Sequence, residues 1–165
     1  LAQHWRITLR YVIAPSALPE TRTIGRRAGF SHAEIAAAAT RLRSWALISG
    51  EQLTGLPFLR ISGELYCEVH IPVAGKVRPH PETGISLEVG EGGPAVAVRT
   101  VAFSEMRSVL RELGGEIAVD CGIAGPVEFH PASAEFLQGT LVWPVHRQLR
   151  LAASAGQPQL VEVGA

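Results

Sequence analysis

Charge is scarce in this chain. Of its 165 residues only 18% are Asp, Glu, Lys or Arg, and fifteen bases balance fifteen acids for a formal net charge of zero. Nucleic-acid binding draws on clustered positive charge, so this balance argues against direct contact with DNA or RNA. Cysteine is scarcer still: Cys67 and Cys121 make neither a disulfide framework nor a CxxC site, and the simpler expectation is a reducing, cytoplasmic compartment. No apolar run approaches the ~18 residues of a membrane span. Residues 1–10 lack the basic-then-apolar order of a signal peptide. The six histidines, at positions 4, 32, 70, 80, 130 and 146, form no HxH, HExxH or H-x₃₋₅-H pair, so no metal site is expected. A P-loop and a GxSxG elbow are absent too, and Gly90–Glu91–Gly92–Gly93 reads as a hairpin turn. No cofactor is implied.

What the chain does have is apolar content, at 47%, and a repeat. A chain of this length buries roughly 70% of its unfolded surface in one domain or two fused halves. Ala28-Gly29-Phe30-Ser31 returns as Val101-Ala102-Phe103-Ser104, Gly55-Leu56-Pro57-Phe58 as Gly125-Pro126-Val127-Glu128-Phe129, and Ile71-Pro72-Val73 as Trp143-Pro144-Val145. Three landmarks keep their order and nearly their spacing, so the chain reads as two copies of one unit, about 5–74 and 83–146. Residues 147–165 read as an appendage or loose tail.

Each copy predicts two strands, a helix and two more strands. In the first, Trp5–Ile13 alternates as a half-buried strand, Pro15 to Pro19 reads as a turn, and Glu20–Gly29 as a shorter, weaker strand. Ser31 with Glu34 makes a capping box for a helix whose Ile35, Ala38, Leu42 and Trp45 share one face and which stops at Gly50. Leu56–Ser62 and Leu65–Val73 follow as a hairpin. In the second copy, Gly84–Val89 and Ala95–Ala102 are strands, and a helix opens at Ser104 with Met106, Val109, Leu110 and Leu113 on one stripe. Gly114-Gly115 is expected to weaken or end that helix, and strands near 127–130 and 138–145 complete the unit. The fold class is α+β: two pseudo-symmetric strand-helix-strand-strand repeats, a mostly antiparallel sheet and two main helices.

The ordered set of Gly55-Leu56-Pro57-Phe58, Glu68-Val69-His70-Ile71-Pro72-Val73, the strand Ala95–Phe103, Gly125-Pro126-Val127-Glu128-Phe129 and Thr140-Leu141-Val142-Trp143-Pro144-Val145 resembles the GyrI-like superfamily, the effector-binding domains of bacterial transcription activators. The resemblance covers about residues 5–146. It implies a ligand cavity near the dyad of the two halves, a small-molecule partner of hydrophobic or cationic, drug-like character, and a DNA-binding domain upstream in a longer chain. Family members often carry a Glu four positions before the Pro of the last strand. Here that position is Thr140, and the equivalent of the first half is Glu68.

Alternation along Leu65–Ile71 places Tyr66, Glu68 and His70 on one face, where Glu68 is a candidate cation partner or general base and His70 a proton carrier. Glu128 lies near the junction of the halves. Trp45, Phe58, Phe129 and Trp143 are candidates for an aromatic pocket wall, against an ordinary core role for the same residues. The expected function is a small-molecule sensor or sequestering domain. The alternatives are a hydrolase using Glu68 or Glu128, and a protein-interaction module.

Overall fold

The computed structural model describes residues 11–75, 84–148 and 159–160. The part of the first expected strand that falls on Trp5–Arg10 lies outside them, as does most of the expected tail. One nine-stranded antiparallel sheet carries two helices. The elements run β1 (Val12–Leu18), β2 (Thr21–Gly29), α1 (His32–Ser49), β3 (Phe58–Ile61), β4 (Tyr66–Pro72), β5 (Ser86–Gly90), β6 (Gly93–Ala102), a 3₁₀ turn (Phe103–Glu105), α2 (Met106–Cys121), β7 (Val127–Pro131), β8 (Gln138–Pro144) and β9 (Gln159–Leu160).

The strand order β5-β2-β4-β3-β7-β8-β6-β1-β9 is palindromic except for β9. The pseudo-dyad passes between β3 and β7, where Leu59 faces Phe129. The repeat read from sequence is therefore the repeat of the fold, with one addition. The first strand of each unit pairs with the other unit: β1 lies against β6, and β5 against β2. Within the stretch expected as a tail, Gln159 and Leu160 pair with Ile13 and Val12 at the sheet edge.

Helix α1 starts where the sequence says it should. Ser31 is extended and its hydroxyl takes the Glu34 amide at 3.1 Å, while the Glu34 carboxylate accepts from the same hydroxyl at 2.8 Å. Gly50 ends it with φ 74°, a conformation open to glycine at little cost. Ile35, Ala38, Leu42 and Trp45 are buried against the sheet, as the periodicity predicts. The core they enter continues through Ile13, Ile24, Val69, Ile71, Val96, Phe129, Leu141 and Trp143 to the buried face of α2.

Three local expectations are corrected. Pro15 lies inside β1, opposite Val96, and the turn shrinks to Pro19–Glu20. Beyond Ile13 the outer side of β1 has no ladder partner among the described residues, and such an edge tolerates a residue without an N–H. Strand β2 is nine residues long, held on both sides by β4 and β5 in the sheet interior. Helix α2 runs straight through Gly114-Gly115 to Cys121. Two helical glycines cost about 2 kcal/mol together. Burying Ile117 and Cys121 beyond them returns more, at roughly 1.5–3 kcal/mol for a residue the size of isoleucine alone.

Candidate functional site

Both helices cover one face of the sheet, so the side chains that alternate away from the core share the other. Register places them in rows across strands: Phe58 of β3 faces His70 of β4, Arg60 faces both Glu68 of β4 and Glu128 of β7, and Thr23 of β2 faces Glu88 of β5. These are residues from five strands meeting beside the pseudo-dyad.

His70 is wholly buried. Its Nδ1 lies 2.9 Å from the Thr23 hydroxyl and its Nε2 3.2 Å from Glu68 Oε1. Burial, reinforced by the nearby Arg60 charge, pulls its pKa below the ordinary imidazole value despite Glu68. Gly25 lies opposite, and a Cβ there would come within 2.5 Å of His70 Cε1. Only glycine lets the ring lie flat on β2. Glu128, 8% exposed, accepts from His130 Nε2 at 2.9 Å and from Arg60 Nη2 at 3.3 Å. Burial alone would raise its pKa, but the hydrogen bond and charge of His130 and the Arg60 guanidinium outweigh that and hold it below the ordinary carboxyl range. Arg60 also donates to Glu88 through its other terminal nitrogen, so one cation bridges two acids. Three carboxylates thus face one guanidinium.

Phe58 ties the two histidines together, its ring 4.7 Å from His130 and 5.6 Å from His70, both near-parallel. By the repeat, Phe58 corresponds to Glu128 and Arg60 to His130. The Phe58–His130 stack is therefore the symmetry mate of the Glu128–Arg60 ion pair. Above these groups lies a cavity of about 360 Å³, walled by Leu18, Pro19, Leu56, Pro57 and Pro72, with Phe58, Arg60, Glu128 and His130 at its floor. A second lobe of about 510 Å³ shares Leu18, Arg60 and Glu128 and is bounded by Pro126 and Pro144, the repeat partners of Leu56 and Pro72. On the same face Ala95, Ala97 and Val142 form a small buried apolar cluster with Leu18 against it. The acids are thus asymmetric across the dyad, because Thr140 and Val142 stand where the first half has Glu68 and His70. Glu68, His70 and Glu88 bring one ligand atom each within 4.8 Å of one another and could ligate a cation if Arg60 withdrew from Glu88. The thiols are unsuited to nucleophilic work: burial pushes Cys67 up to about 11 and raises Cys121.

Among solved structures, the C-terminal domain of EcmrR superposes on this chain with a TM-score of 0.63 and 14% identity, covering 84% of this chain and 99% of that one. The chain has the fold of that domain. EcmrR in a cryo-EM complex with DNA gives a TM-score of 0.67 at 15% identity over 88% of this chain, which spans only 62% of that longer protein. A hydrolase from Listeria innocua is similar at a TM-score of 0.53 and 14% identity, over 81% of this chain and 91% of that one. No family model and no curated protein matches. The α+β fold of two repeats expected from the motifs is the fold found.

Within this EcmrR-like fold, the residues singled out from sequence divide cleanly. Phe58, Glu68, His70 and Glu128 meet on the helix-free face, and of these Phe58 and Glu128 line the cavity while Glu68 and His70, like Tyr66, do not. Trp45, Phe129 and Trp143 do not join them: all three are core residues on the helix side, at 3%, 0% and 1% exposure. The alternation that puts Glu128 and Val142 on the helix-free face turns Phe129 and Trp143 away from it. Tyr66 lies at the far end of β4, under the Arg27 guanidinium at 4.2 Å, and outside the cavity lining. Arg60, Glu88 and His130 were missed. The signal for His130 is in the sequence, since Glu128-Phe129-His130 repeats the spacing of Glu68-Val69-His70. Glu88 carried no such signal, because it joins the site only through the pairing of β5 with β2, whereas Arg60 faces Glu68 across the hairpin already read from the sequence and was within reach of that reading. No described helix is long and apolar enough to cross a membrane.

Proposed function

We propose that this chain is a small-molecule-binding sensor domain of the GyrI-like effector type, taking hydrophobic ligands that carry a positive charge. One observation carries the reading: a cavity walled by proline and leucine has the buried, ionised Glu128 at its floor, in a cluster where acids outnumber the one guanidinium. The walls supply desolvation and Glu128 the charge partner. Because EcmrR combines the same fold with DNA binding in a longer chain, a DNA-binding activator module is the proposed partner.

The pKa direction suits Glu128 as a charge partner and argues against it as a general acid. A general acid needs its proton near neutral pH, whereas Glu128 is held in the charged form by His130 and Arg60. The test is a thermal-shift panel of planar hydrophobic cations and their neutral isosteres. The cations should raise the melting temperature of the wild type, and Glu128→Gln should lose most of that rise. A panel without any shift, or one in which neutral isosteres do as well as cations, refutes the proposal.

A further inference from the structure

The two halves differ on the helix side of the sheet, at the tips of the β3–β4 and β7–β8 hairpins. In the second half the connection is the longer, Ala132–Leu137, and folds back. Phe136 is buried at 6% exposure with φ 57°, its carbonyl is 3.2 Å from His32 Nε2, and the Phe103 amide donates to the Leu137 carbonyl at 2.9 Å. The first half repeats the surroundings without the plug. Phe30 corresponds to Phe103 and Leu65 to Leu137, but Glu64 stands in place of Phe136 and is exposed. Where the second half is filled, the first holds a cleft of about 360 Å³ lined by Phe30, Ile61, Gly63, Leu110, Arg107 and Arg111.

The fold thus shows what shape belongs at this place, and the rim shows what charge. At the equivalent position of the other half an aromatic side chain, Phe136, is buried. Arg107 lies 5.2 Å over the Phe30 ring and donates to the Glu64 carbonyl, and Arg111 follows one turn later on α2. Arg111 has no ion-pair partner among the described residues, and the cleft lining holds two arginines against one acid, Glu64. We infer that this cleft is a second binding site, for a small aromatic carboxylate whose ring takes the place that Phe136 fills in the other half and whose carboxylate pairs with Arg107 and Arg111. Guanidinium matches a carboxylate bidentately, and partial enclosure by Phe30 and Leu110 strengthens the pair. The site lies on the opposite face of the sheet from the Glu128 cavity and prefers the opposite charge, so it stands independently of the function proposed above.

The probe is 4-fluorophenylacetate, followed by ¹⁹F NMR line broadening on the whole chain, with 4-fluorophenylacetamide as the neutral control. The acid should bind with Kd below about 1 mM, and the amide at least tenfold more weakly. Arg111→Ala and Arg107→Ala should each weaken the acid about tenfold, one lost charged contact. Glu64→Phe, which installs the residue of the other half, should abolish binding and leave the protein folded by circular dichroism. Because Arg111 is an exposed helix residue, its substitution leaves the fold intact. Absence of broadening at ~10 mM acid overturns the inference, as does binding indifferent to both arginines. Binding lost in Glu128→Gln but kept in Arg111→Ala also overturns it, since the probe would then sit in the other cavity.

Discussion

Gly25→Ala is the sharpest test of the polar cluster, because its only new atom is aimed at His70. A Cβ there would lie 2.5 Å from Cε1, 2.7 Å from Nδ1 and 3.0 Å from Nε2. Ordinary contact needs about 3.4 Å, so the ring must retreat by about 0.9 Å. It has little room to do so, being held by Thr23 at one nitrogen and Glu68 at the other, with Phe58 stacked nearby. Overpacking of this kind costs about 1–3 kcal/mol, and a broken Thr23 or Glu68 bond adds about 1. The stiffer unfolded chain gives back about 0.4–1. The net expectation is a loss of about 2 kcal/mol, or about 4–8 °C in melting temperature for a chain of this size. Urea denaturation of the variant measures it. Gly63→Ala is the control, since no heavy atom lies within 4 Å of its Cβ position and its φ is not positive, so it should be neutral or slightly stabilising. In a His70→Ala background the Gly25→Ala penalty should shrink by more than about 1 kcal/mol. Equal penalties in both backgrounds, or a Gly25→Ala protein as stable as the wild type, would refute the reasoning.

Two further outcomes are expected. Glu128→Gln should cost about 1.5–3 kcal/mol at neutral pH, toward the lower end because Arg60 keeps Glu88. The folded pKa of Glu128 lies below its unfolded 4.5, so its contribution is complete above 4.5. It fades as pH falls through the lower folded value, and wild type and variant should converge in acid-range denaturation curves; a gap that widens in acid contradicts the assignment. Cys67 and Cys121, both fully buried with raised pKa values, should resist a disulfide reagent such as DTNB in native buffer and react as two thiols in denaturant. Stoichiometric labelling of the native protein within seconds would place at least one thiol at the surface.

How much of this was legible in the sequence depends on the range of the interaction. The capping box at Ser31 and Glu34, the buried stripe of α1 and the Gly50 stop are local devices, and each was readable from a few neighbouring residues. The repeat was readable too, because its landmarks keep their spacing. Gly114-Gly115 misled because its local cost is outvoted by burial farther along α2. The site was half legible. Alternation finds Glu68 and His70 from their own strand, but Glu88 joins them only once β5 has crossed to β2, and Glu128 only once β3 has met β7. Trp45 and Trp143 were drawn toward the pocket by their chemistry and are held in the core by the face their positions present.

The crossing of the first strands has a consequence for how this chain reaches its native state as it leaves the ribosome. Ile13 finds its partner only when Val98 has been made, and Ile24 pairs with Leu87 before the second half is finished. Neither copy can close as an autonomous unit, so the nascent first half must wait with β1 unpaired and one flank of β2 bare. Long-range pairing of this kind slows folding and prolongs exposure of strand edges. Assembly is therefore a late, concerted event that locks both halves at once. The same interlock lets a cut between them leave fragments that complete each other's sheets.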